Sequence, residues 1–89
     1  DVNRHARALI TRALYTLETA PPGQRHYALR RAACTLGGVM HAAGFTEAEA
    51  AQHLLDAAAR AGAEDMRNAA STVASGLAWG AARPMELGR

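Results

Sequence analysis

Four stretches of helical periodicity, each closed by a residue that cannot extend a helix, constrain this 89-residue chain more than any other feature of it. Pro21 and Pro22 end the first, because a proline lacks an amide donor and disfavours helical backbone in the residue before it. Gly44 and Gly62 end the second and third, since a residue free to turn left-handed caps a helix well. Pro84 ends the fourth. The predicted helices cover residues 3–19, about Arg25 to Ala43, Thr46 to about Ala61, and Glu64 to about Ala82. The expected fold class is all-α, a compact bundle of about four helices. Residues 1–84 form a single bundle domain, and residues 85–89 a tail or linker.

Each helix carries an apolar stripe. In the first it is Val2, Ala6, Leu9, Ile10, Ala13, Leu14 and Leu17; in the second Leu29, Ala32, Ala33, Leu36, Val39, Met40 and Ala43. In the third, Ala48, Ala51, Leu54, Leu55 and Ala58 are expected inward, and in the fourth Met66, Ala70, Val73, Leu77 and Ala81. Thr46 and Glu49 have the spacing of a capping box, with Phe45 placed to staple back on Ala50. Glu49/His53 and Asp56/Arg60 are i,i+4 pairs with the acid first. Glu64 and Asp65 sit where the dipole of the fourth helix favours acids.

The chain is 49% hydrophobic, but alanine supplies most of that, so the helices are expected to pack closely around a core of small area. Gly37 and Gly38 lie inside the second helix, at a cost of about 1 kcal/mol each relative to alanine. Close approach by another helix is the expected compensation, a local kink the alternative. Gly76 and Gly80 form a GxxxG step on the fourth helix, with Gly37 as a candidate for the facing position.

All the basic residues are arginine, and every guanidinium is a permanently charged planar fork suited to phosphate. The net charge of +2 hides an asymmetry: residues 1–44 carry a balance of +4 and residues 45–89 one of −2. A polyanion should therefore meet the first half. No apolar run approaches the length of a membrane span, and no signal-peptide pattern is present. The single cysteine, Cys34, has no internal disulfide partner, which fits a reducing, cytoplasmic setting. The chain opens at Asp1 without an initiator methionine, the pattern of a piece of a longer protein.

The segment Ala20–Val39 concentrates the candidate chemistry. It holds Arg25, Arg30, Arg31 and Tyr27 around the start of the second helix, where free amides and the dipole already favour an anion. Two roles fit Arg25: a phosphate contact, or a local cap or ion pair with Glu18. Trp79 falls off the inner stripe beside Asn68, Thr72, Ser75 and Arg83, and Arg83 is spaced to stack on the indole. Burial against the first helix or a neighbouring domain and a stacking platform for a base are both open to it. The face of the first helix with Arg4, Arg7, Thr11, Arg12 and Tyr15 is either solvated or follows a phosphate backbone.

No catalytic constellation is present. His5, His26 and His41 are isolated, and His53, between Glu49 and Asp56, lacks a second His or Cys at chelating spacing. Cys34 and His41 lie about 10 Å apart by helix rise, too far to share a metal. Ser71 to Ser75 has no base nearby in sequence, and no phosphate-loop or dinucleotide fingerprint appears. No metal, cofactor or enzymatic activity is expected.

A pattern runs through most of the chain: Gly23-Gln24-Arg25-His26, Leu29, Ala33, Leu36-Gly37, Gly44, Ala50, Leu54, Gly62, Ser75-Gly76-Leu77, Gly80 and Pro84. Over roughly residues 18–84 it resembles the small helical accessory domain beside the primase-polymerase or helicase part of replication proteins in phages, plasmids and integrated elements. It departs from that family at His26, where the family usually has asparagine. The resemblance implies a non-catalytic accessory domain that holds template single-stranded DNA or nucleotide phosphates near a polymerase site. Arg25 and His26 would form the corner, with Arg30 and Arg31 on phosphates. Tyr27, Trp79 and Arg83 complete the candidate nucleic-acid-binding set. The competing expectation is a protein-interaction or spacer module joining primase and helicase domains, docking through Trp79, Leu87 and the glycine-rich faces.

Overall fold

The computed structural model describes residues 2–85. In order these form α1 (Val2–Glu18), a short 3-10 turn (Pro22–Gln24), α2 (Arg25–Ala43), α3 (Glu47–Arg60) and α4 (Met66–Ala81), with no strand among them. Leu87 and the rest of the tail beyond Met85 lie outside the described residues, as does the side chain of Val2.

The helix ends are built as their residues require. After α2, Gly44 takes φ 82°, and the Gly44 and Phe45 amides donate to the carbonyls of His41 and Met40 at 3.1 and 2.9 Å. After α3, Gly62 at φ 100° repeats the arrangement, with Gly62 donating to Ala59 and Ala63 to Ala58. Both are the paired closure that a left-handed glycine permits, satisfying carbonyls the helix itself leaves free. The Thr46 hydroxyl accepts from the Glu49 amide at 3.1 Å, and Glu49 Oε1 accepts from the Thr46 amide at 2.8 Å, so the capping box is complete. Asp65 caps α4 by accepting from the Asn68 amide at 3.0 Å.

Helix α2 is the centre of the bundle. It packs most extensively on α4, then on α1, then on α3. Its expected inner stripe is buried throughout, from Leu29 to Ala43, and Gly37 is buried with it. Ala6, Ile10 and Leu17 of α1 join that core, with Leu9, Ala13 and Leu14 packed partly against it.

Two expected stripes are corrected. In α3, Ala50, Leu54, Ala57 and Ala58 are buried, Ala51 and Leu55 are half-buried, and Ala48 is exposed. In α4 the inner line is Ala69, Val73, Gly76, Leu77 and Gly80; Met66 and Ala70 are exposed and Ala81 half-buried. The cause is glycine. The face that approaches α2 is the one with no side chains to hold it off, and Gly76 and Gly80 define it.

That approach is close. A Cβ at Gly37 would overlap the Leu77 carbonyl, one at Gly76 would overlap Ala33 Cβ, and one at Gly80 would overlap the Cys34 carbonyl. A Cβ at Gly80 would also sit 2.8 Å from the Gly38 amide nitrogen and 3.0 Å from Gly37 Cα. The interior glycines are therefore compensated by near-backbone contact between α2 and α4, and Gly37 is the residue facing the GxxxG step. Gly38 serves a further contact: the Met85 amide donates to its carbonyl at 2.9 Å.

Gly80→Ala and Gly37→Ala should each lower unfolding free energy by about 1–3 kcal/mol, the usual cost of forcing atoms into a filled interface. Gly23→Ala, which meets open space, should change it by less than about 1 kcal/mol. Urea melts followed by circular dichroism compare the three.

Candidate functional site

Three arginines at positions 25, 30 and 31 of one helix cannot converge. At about 100° per residue, the second and third are turned from the first by about 140° and 240°. Each accordingly lines a different depression, and the expected corner does not exist as such.

Arg25 turns toward the α3–α4 connection. Its guanidinium carbon and two terminal nitrogens lie 3.2–3.4 Å from where a Cβ on Gly62 would stand. The surrounding depression is small, about 170 Å³, and includes Glu64 and Asp65. Arg25 Nε is buried without a hydrogen-bond partner. Glu18 does not pair with it: Arg60 Nη2 takes Glu18 Oε2 at 2.7 Å instead, because α3 ends beside the end of α1. The hydrogen bond to Glu18 raises the Arg60 pKa above its ordinary value. The expected Asp56/Arg60 pair gives way to that bridge, and Asp56 accepts from Gln52 Nε2 at 2.9 Å. The expected Glu49/His53 pair also gives way. Glu49 is engaged in the capping box, and the His53 ring lies 5.3 Å from the Phe45 ring.

Arg30 lines a groove between α2 and α4 of about 460 Å³, within the usual range of ligand sites at about 300–1,000 Å³. His26 and Cys34 lie along its α2 wall; Ser71, Thr72, Ser75 and Trp79 line the α4 side. Trp79 is 54% exposed, so the reading in which it is buried against α1 is set aside. Arg83 lies over the indole at 4.2 Å from the ring centroid, and its Nη1 donates to the Trp79 carbonyl at 3.0 Å. The guanidinium is thereby fixed on one face of the ring, within the range of a cation–π contact.

Arg31 and Tyr27 belong to another trough, between α1 and α2, of about 580 Å³. Arg31 stands 5.8 Å from the centroid of the Tyr27 ring, which is 59% exposed. Arg12 of α1 shares the trough, a neighbour that no sequence spacing indicates. Among the described residues, no carboxylate lines either this trough or the α2/α4 groove. The acids at Glu47, Glu49, Asp56, Glu64 and Asp65 sit on α3 and the turn after it, and Glu64 and Asp65 share a depression with Arg25.

Arg7, expected on the free outer face of α1, is engaged. Its Nε donates to the Ala43 carbonyl at 3.1 Å and satisfies one of the open acceptors at the end of α2. Among the described residues, no group of three or more His, Cys, Asp or Glu side chains is arranged to hold a metal, and no helix is long and apolar enough to cross a membrane. Chemically, the α2/α4 groove offers one guanidinium, an imidazole, hydroxyls and an accessible indole. That inventory suits an anion attached to a planar ring. No protein-family model, curated protein or solved structure significantly matches the chain.

Trp79 is the sole tryptophan, so intrinsic fluorescence reads this groove directly. Arg83→Ala should increase quenching of Trp79 by acrylamide by uncovering one ring face. Because Arg83 is exposed, losing its cation–π contact should lower stability by no more than about 1 kcal/mol.

Proposed function

We propose that this chain is a non-catalytic, cytoplasmic accessory domain of a mobile-element replication protein. In this reading it binds template single-stranded DNA beside a neighbouring primase-polymerase or helicase domain. The binding face is the α4 side of the α2 ridge, where His26 and Arg30 stand across the groove from Trp79. Arg25, turned toward the α3–α4 connection, and Tyr27 and Arg31, in the α1/α2 trough, are left out of the contact. The observation that carries the proposal is the α2/α4 groove. Arg30 and three hydroxyl side chains line the groove with an exposed indole, and among the described residues no carboxylate there opposes a phosphate. A strand would bind by charge at Arg30, which is sequence-independent and salt-sensitive. A base would stack on the free face of Trp79, opposite Arg83. The family resemblance of residues 18–84 supplies the replication setting, which is an inference by analogy.

Fluorescence anisotropy with a labelled oligothymidylate at low salt tests this. Trp79→Ala should weaken binding by about 1–3 kcal/mol. Arg30→Ala should weaken it and reduce the slope of log K against log salt by about 0.7. Arg25→Ala should leave it unchanged. Wild-type affinity in both Trp79→Ala and Arg30→Ala would refute the reading.

A second reading, a protein-interaction or spacer module between primase and helicase domains, is favoured by one specific observation: a large aromatic side chain stands 54% exposed at Trp79. In that case Trp79→Ala would abolish association with a neighbouring domain, while oligonucleotide would bind neither form.

A further inference from the structure

The two depressions flanking the α2 ridge differ in how their charge is placed. The α2/α4 groove carries one guanidinium, on its α2 side. The α1/α2 trough has an apolar floor of Leu9, Ala13, Ala28 and Ala32, all buried or half-buried. Its rim is cationic, with Arg12 on one helix and Arg31 on the other, both exposed. Tyr27 stands at the edge with much of its ring in solvent. Along α1 the lining runs from Leu9 to Thr19, about 15 Å at 1.5 Å per residue. Three of the floor residues are alanines, so the trough is shallow and wide rather than a closed pocket for a compact ligand.

We propose that this trough is a docking site for an acidic amphipathic helix of a partner protein, a site separate from the strand-binding groove. The floor accepts a short row of apolar side chains spaced three and four apart, which is how helices are received in grooves. Arg12 and Arg31, one on each bank, pair with carboxylates flanking that row. With no acid among the described residues of its lining, the trough sets no repulsion against them there. Charge on the banks and an apolar floor favour a peptide over a nucleic-acid strand, because a strand leaves four apolar side chains without partners. The length of the trough matches about three turns of helix.

The probe is a labelled synthetic peptide of about three to four helical turns, with leucine and alanine on one stripe and glutamate on both flanks. A control peptide carries lysine in place of every glutamate. Anisotropy titrations use the wild-type protein, the Arg12→Ala/Arg31→Ala double variant, and Arg30→Ala. The acidic peptide should bind wild type and Arg30→Ala equally. It should bind the double variant about fivefold or more weakly, the effect of losing two exposed ion pairs. Both substituted side chains are exposed, and circular dichroism melts confirm that the variants are folded. Amide chemical-shift changes on peptide addition should centre on Thr16, Ala28 and Thr35 rather than on Ser71 and Ser75. Equal binding of the lysine peptide, or no binding of the acidic one, overturns the proposal. Displacement of the peptide by oligothymidylate with Arg12/Arg31 dependence assigns the trough to nucleic acid and also overturns it. So does concentration-dependent self-association of the protein that the double variant abolishes.

Discussion

Near-contact between the backbones of α2 and α4 is the interaction on which the rest of the structure depends. In a chain whose apolar content is mainly alanine, no side chain can fill a wide space between helices, so the helices must come together until main chains touch. Gly37, Gly76 and Gly80 make that possible. The conformational cost of glycine within helices is offset by dispersion between two dense surfaces, which is strong because so many atoms lie at contact distance. Once α4 is seated, Ser71, Ser75 and Trp79 lie opposite His26 and Arg30, and the width of the groove between them follows from the helix spacing.

Much of the fold was readable from residue order. The limits of α2, its buried stripe from Leu29 to Ala43, the glycine closures at Gly44 and Gly62, and the capping box at Thr46 all depend on local chemistry, and each stands as its residues suggest. The inner lines of α3 and α4 were less readable. Alanine occupies every side of these helices, so periodicity loses contrast, and glycine counts as a gap where it is in fact the contact. The GxxxG spacing carried the correct information for α4, whereas the apolar count favoured Met66 and Ala70.

The site was only partly legible for a different reason. Trp79, Arg83, Thr72 and Ser75 share a helical face, which spacing alone reveals, and they remain together. Arg25, Arg30 and Arg31 are close in sequence but fan out around a helix, so their density along the chain is misleading. The company of Arg12 with Arg31, and of Arg7 with Ala43, arises from how α1 lies against α2. No local pattern encodes it. Glu18 illustrates the same limit: its partner is 42 residues away, at the end of α3.

Helices usually begin to melt at their ends, where backbone hydrogen bonds are fewest and openings cost least. The bond from the Met85 amide to the Gly38 carbonyl changes that order for α4. The segment after Ala81 is laced to the C-terminal half of α2, so fraying of the last turn of α4 through to Met85 also breaks a tertiary link. The indole at Trp79 and the guanidinium stacked on it sit on this braced turn. Opening that turn would therefore also cost the link to α2, although both side chains face water.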